Sequence, residues 1–461
     1  MPFGFSALLP LSALPEGLSQ SRKMAAEARV SNDVVAELNA LESIVSYAPW
    51  QGANWQRLGR LRLDLGNNSG AVDAFNQALA LGALSSEGMV WTADALSRNG
   101  ETDKAKEILR ELTVIEDVDS FSLLQAALIQ RSLNDTNGAL VNLLRAYEAD
   151  PLNGEVNYQA GLQLAASRPD ESLPFLERAA EASSERAYTC QNLIEVIRDS
   201  SELGESGARY VSIGQELSTM SEWDVAQSAF LRAVELSPED GDAWALLGEA
   251  AQQNGEDGTD YLVKARELSP DAELVNGLSG LYYRRQGKSE LALVYLQKAL
   301  DANPKALVWE IETGSTLDGM GDLEGALQHY QNATDIDPMQ WLPWRALAAF
   351  CITRNYQLEE IGLPAARQAS SLYKGSPALL DLLGTALMMT GDLDEALNSF
   401  LQADAIDPHQ TAILIHIGQV YLEKEENETA AAYFRQAEEY AKDNRLREMA
   451  ARLLVESGVD D

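Results

Sequence analysis

A period of 34 residues constrains this chain more than any other feature. Its clearest copy is the stretch 378–408. Residues 379–389 and 393–406 read as two amphipathic helices, broken by Thr390-Gly391-Asp392. Gly391 stands where a left-handed residue ends a helix. Leu383, Gly384 and Leu387 mark one face of the first helix, and Ala396, Phe400 and Ala403 mark one face of the second. Gly384 and Ala396 lack bulk, so the helices are expected to cross closely there, with Phe400 filling the space beside the crossing. Pro408 stops the second helix. The set recurs as Gly314, Leu317, Gly321, Ala326, Tyr330, Ala333 and Pro338. It recurs 34 residues earlier as Gly280, Tyr283, Gly287, Ala292, Leu296, Ala299 and Pro304. A chain so built stacks helix pairs, each burying its apolar face on the next.

Trp244-x2-Leu247-Gly248 and Trp55-x2-Leu58-Gly59 open two further copies. Together with A-x3-F and a closing Pro, they resemble the tetratricopeptide repeat family, whose unit is 34 residues long. The resemblance covers nearly the whole chain in about twelve imperfect copies. It implies an all-α superhelical solenoid of about twelve antiparallel helix pairs, with first helices lining a concave groove that holds peptides or whole protein partners.

In chain order, residues 1–20 form an apolar segment outside the repeat. It lacks a basic n-region, which weakens a signal-peptide reading; a targeting signal, a segment packed over the first helices and a disordered segment all stay open. Residues 21–50 are expected to be capping helices, 51–199 an N-terminal repeat lobe, 208–442 a C-terminal repeat lobe, and 443–461 a capping helix and tail. Regularity fails at 186–207, where one helix is followed by Asp199-Ser-Ser-Glu-Leu-Gly-Glu-Ser-Gly207 and no full partner. Residues 200–207 are therefore the expected seam. Eight residues reach about 26 Å, more than the length of a 14-residue helix, about 21 Å. A crossover and a one-turn stub are both compatible with that reach.

Charge narrows the partners. The chain has 71 acidic against 35 basic residues, a net charge of −36. Nucleic acid needs a basic surface, so it is excluded as a partner, and anionic membrane surfaces are disfavoured. No apolar run approaches the length of a membrane span. Acidity suits either an exposed solenoid kept in solution or a basic partner. Cys190 and Cys351, each within a helical pattern, are expected to be small buried residues and not a disulfide.

Signals for chemistry are weak. Gly319-Met320-Gly321-Asp322-Leu323-Glu324-Gly325 has no strand before it and sits at a helix-pair turn, so it is not a dinucleotide loop. His409 and His416 lack further ligands at metal spacing. No catalytic residue, metal site or cofactor is expected, and the chain does not read as an enzyme. Four sequons, among them Asn67-Asn68-Ser69, carry meaning only with a secretory address. A cytoplasmic location is expected, with export as the alternative.

The resemblance also tests one kind of grip. Some family members hold a C-terminal carboxylate with Lys and Asn at set positions of three repeats. Val211, Gln215, Ala245, Glu249, Gly277 and Leu281 stand at those positions here, so that grip is absent. By repeat position, Arg284, Arg285 and Arg345 should instead point into the groove, with Ile311 between them and Trp309 and Trp341 flanking. Two readings of this strip stay open: pairing with nearby Asp or Glu, and a site for an acidic or C-terminal segment of a partner. The function expected is a non-catalytic scaffold or adaptor for protein partners. The rival readings are an accessory subunit of an enzyme, secretion or envelope-assembly complex, and a self-assembling structural protein.

Overall fold

The first helix of most repeats ends in the same backbone device; helix Gly154–Ala165, where the Arg168 amide returns to the Leu164 carbonyl, is an exception. After the helix Pro377–Met389, Gly391 takes φ +89° and the amide of Asp392 donates to the Leu387 carbonyl at 2.9 Å. This six-to-one bond closes the helix end with a left-handed residue. The same bond joins Asn67 to Arg62, Glu101 to Leu96, Lys288 to Tyr283 and Asp322 to Leu317. Non-glycine residues also take the left-handed position: Ser221 at φ +62° and Glu425 at φ +62°.

The computed structural model describes residues 16–459. Among these, 26 α-helices are present and no strand. They form an all-α solenoid of helix pairs. Successive helices pair as first and second members of a repeat, and the tight residues lie where the sequence pattern puts them. Gly59, Gly214, Gly384 and Gly418 each face a phenylalanine 16 residues on: Phe75, Phe230, Phe400 and Phe434. A Cβ on any of these glycines would come 2.5 or 2.6 Å from the ring. The rings are 0–1% exposed, so each of these four repeats is keyed by one large side chain pressed on bare backbone.

Two places depart from the repeat. Helix Ser184–Asp199 is followed by a single 3-10 turn, Ser200–Leu203, and then by Gly207–Thr219. The short turn stands where a second helix would be. After Trp341–Arg354, the inserted residues form a π-helical turn, Leu358–Gly362, ahead of Leu363–Leu372. There Gly362 lies against Cys351, 2.6 Å from its Cβ if a Cβ were added.

The chain divides into two compact units. The first comprises residues up to 239 together with 250–258; the second comprises 240–249 and 259 onward. The expected seam, 200–207, lies inside the first unit. The N-terminal apolar segment lies, for residues 1–15, outside the described residues. Cys190 and Cys351 are buried and free. Burial raises both thiols above their ordinary value, Cys351 to about 11, so neither is a ready nucleophile. No described helix is long and apolar enough to cross a membrane.

Candidate functional site

The first unit fills its own first-helix face at mid-length. In helix Gly154–Ala165, every residue from Val156 to Ala165 is buried. The cover is the turn that begins helix Trp223–Leu236. Arg131, from helix Ser120–Ser132, donates to Asp224 through Nε at 2.8 Å and Nη2 at 2.7 Å, and Nη2 also reaches Glu222 at 2.7 Å. Its remaining nitrogen, Nη1, donates to Gln159. Tyr158 donates its hydroxyl to Glu222 at 3.1 Å. Burial works against the charged guanidinium, but Asp224 and Glu222 together hold Arg131 above its ordinary pKa. Burial and the Glu222 charge push the Tyr158 phenol up as well. These polar groups satisfy one another, so the arrangement covers this stretch of the first-helix face.

The second unit carries the strip of arginine, apolar and aromatic residues singled out by repeat position. Its members stand in different states. Arg285, at the end of helix Glu273–Arg285, grips Glu249 with both terminal nitrogens. Arg284 donates to Ser315 at 2.7 Å and places Nη2 2.8 Å from Oε2 of Glu312. That oxygen makes an ion pair by distance but accepts no hydrogen bond among the described residues. Burial therefore dominates at Glu312 and raises its carboxyl above the ordinary range, against the pull of Arg284 and Arg285.

Trp309 does not flank the strip as expected. It is buried at 4% exposure, lies over Gly277, and donates its indole N–H to Glu273 at 2.9 Å. A Cβ at Gly277 would fall 2.3 Å from the Trp309 ring, so the bare glycine is what admits the indole. Ile311 is half-buried against the cluster around Tyr330 and Phe350. Trp341 is half-buried and stacks on Tyr373, with ring centres 5.4 Å apart; Tyr373 itself is 54% exposed.

Arg345 differs from the other two arginines. It is exposed and has no ion-pair partner among the described residues. It occupies the position that Ile311 holds 34 residues earlier. The matching residue of the next repeat, Asp381, is engaged elsewhere: its Oδ1 lies 2.6 Å from Nδ1 of His416. The structure thus leaves one cation of the strip available, with aromatic and aliphatic neighbours on its own helix. No grouping of His, Cys, Asp and Glu fit to hold a metal occurs among the described residues.

Sequence comparison agrees with this architecture. A tetratricopeptide repeat model matches residues 57–115, 212–259 and 382–445, and a second such model matches 275–305. The chain is similar to tetratricopeptide repeat protein 6 of Homo sapiens, 22% identical over 193 residues, which is 41% of this chain and 36% of that protein. It therefore spans little more than a third of the curated relative it matches. Among solved structures, it is similar to the APC/C hetero-tetramer Cut9–Hcn1 at 16% identity and a TM-score of 0.42, covering 96% of this chain and 91% of that one. Yeast Tom70 gives 13% identity and a TM-score of 0.43, covering 96% and 95%. YrrB, a repeat protein with an unusual peptide-binding site, gives 20% identity and a TM-score of 0.35, covering 41% and 97%.

Proposed function

This chain belongs to the tetratricopeptide repeat family, and from that premise we propose that it is a non-catalytic scaffold whose second unit holds a segment of a protein partner. The observation that carries the reading is Arg345. It is an exposed guanidinium without an ion-pair partner among the described residues, in a chain with about two acids for every base. Such a group matches the two oxygens of a carboxylate. Trp341, one turn earlier on the same helix, supplies an aromatic face beside it. Arg284 and Arg285 border the strip, and their ion pairs with Glu312 and Glu249 form the wall against which a segment lies.

The segment this strip suits is an acidic or C-terminal one. An acidic partner is repelled by the rest of the surface and attracted here, which favours one register over others. A fluorescent peptide with a free C-terminal carboxylate, and its amidated copy, test this directly against the full chain. The free-carboxylate peptide is expected to bind more tightly, and Arg345→Glu to weaken it at least tenfold with an unchanged helical spectrum. Equal binding of both peptides to wild type and variant would remove Arg345 from the site.

A further inference from the structure

The stretch 264–305 inverts the charge of the chain. It holds seven Lys and Arg against five Asp and Glu, in a protein of net charge −36. Three of its cations, Arg266, Lys288 and Lys298, converge on two tyrosines. Tyr283, from helix Glu273–Arg285, and Tyr295, from helix Ser289–Ala302, stack with ring centres 5.3 Å apart and planes 17° from parallel. Arg266, from helix Thr259–Leu268, lies 5.4 Å from the Tyr295 ring and 5.8 Å from the Tyr283 ring. Lys298 lies 5.3 Å from Tyr295, and Lys288 lies 5.9 Å from Tyr283. None of these three cations has an ion-pair partner among the described residues. Arg266 makes one hydrogen bond, to the Ser279 hydroxyl at 3.1 Å.

We propose that this tyrosine-seated cation cluster, on the second-helix side of the second unit and apart from the groove strip, is a docking surface for an internal acidic segment of a partner protein. The tyrosine faces hold the three positive charges in place through their quadrupoles. Holding like charges close together is unfavourable, and an arriving anion relieves that repulsion. The surface also offers apolar contact. Leu291, Val294, Tyr295 and Lys298 follow the i, i+3, i+4, i+7 spacing of one helix face, and Leu291 and Val294 are 37% and 52% exposed. A segment that alternates carboxylates with aliphatic side chains complements both properties.

Charge also selects among anionic partners. A membrane or a nucleic acid presents negative charge over a wide area and would meet the acidic remainder of this chain. A short acidic segment meets only the patch. The groove strip differs in its chemistry: among the described residues it offers one free arginine, Arg345, beside the Trp341 ring, and no cation seated on a tyrosine.

The test uses the full chain and a twelve-residue peptide of alternating Glu and Leu, acetylated and amidated at its ends, with a Gln-for-Glu control. Lys288 and Lys298 are exposed, so Lys288→Glu with Lys298→Glu changes charge without opening a core. The acidic peptide is expected to bind wild type and the control not to. The double variant should bind at least tenfold more weakly, and Lys288→Gln with Lys298→Gln by an intermediate factor. Binding should fall as NaCl rises. Lys288→Glu with Lys298→Glu should leave binding of the free-carboxylate groove peptide unchanged, which separates this surface from the groove. Peptide binding that is absent, or unaltered in the double variant, overturns the proposal. So does cluster-dependent binding to phosphatidylserine vesicles without peptide binding.

Discussion

Arg131 and Asp224 are 93 residues apart in sequence and meet in a two-pronged ion pair, with bonds of 2.7 and 2.8 Å. The pair fixes where the start of helix Trp223–Leu236 lies against helix Gly154–Ala165 within the first unit. Removing one partner leaves a buried charge uncompensated. Asp224→Ala is therefore expected to destabilise the first unit by about 3 kcal/mol, near the lower end for buried pairs because Glu222 still reaches Arg131. Hydrogen exchange reads the effect locally: amides of 156–165 should lose protection before those of helix Asn427–Tyr440 in the second unit. Uniform loss of protection in both units would contradict this account.

The keyed crossings give a second prediction. A Cβ at Gly384 would stand 2.6 Å from the Phe400 ring, which is fully buried. Gly384→Ala gains helix propensity of about 1 kcal/mol but forces the ring aside, at a cost of about 1–3 kcal/mol. A net loss of stability is expected in urea denaturation. Phe400→Leu makes room at Gly384, so the double variant should lose less than the two single changes combined. Additive losses would mean that the ring is not what excludes the methyl.

Acid stability follows from Glu37. Its carboxylate is buried and accepts bonds from Arg57 at 2.8 and 3.0 Å and from Arg29 at 2.9 Å. The Arg57 bonds, with Arg29 behind them, hold its pKa below the ordinary value of 4.5. A carboxyl lowered on folding releases its proton more readily in the folded state. Its stabilisation is thus complete above about pH 4.5 and is lost as pH falls through the lower folded value. Wild type should lose stability steeply below pH 4.5. Glu37→Gln should be weaker at pH 7 and show a shallower acid slope over the same range. Parallel slopes would exclude Glu37 from the acid response.

How much of this was legible in the sequence depends on the distance over which each contact is set. The Gly384–Phe400 crossing and the Gly391 turn repeat at fixed spacing, so the pattern alone locates them. Ser221 and Glu425 close the same turn without glycine, and composition gives no sign of it, because the hydrogen bond from two residues past the helix end defines the motif. The Arg131–Asp224 pair joins repeats that are not neighbours; it depends on rotations accumulated over several repeats and leaves no periodic trace. Repeat position puts Trp309 beside the groove, but the bare backbone at Gly277 lets its indole turn inward. The groove arginines were legible as to position and not as to pairing, since Glu249 and Glu312 are two acids among 71.

That pairing yields the last prediction, a contrast within one strip. Arg285 is about one-third exposed, and its partner Glu249 is 9% exposed. Arg285→Glu would set a new carboxylate against Glu249 and close to Glu312, whose own carboxyl burial already pushes up. The loss expected is about 3 kcal/mol, at the low end for a broken buried pair because Arg285 keeps contact with water. Glu312→Gln should act in the other direction. A carboxyl raised on folding binds its proton more tightly in the folded state, so its contribution to stability grows as pH falls through the folded value and is smallest above it. Replacing it by an amide removes that penalty, and the variant should match or slightly exceed wild type in urea at pH 8, with the difference fading toward pH 4.5. Arg345→Glu touches no such pair and should leave the urea midpoint unchanged. If Arg345→Glu unfolds the second unit as Arg285→Glu does, the two arginines play one structural part and the free cation is lost from the site. If both variants are as stable as wild type, the Arg285–Glu249 pair holds nothing together.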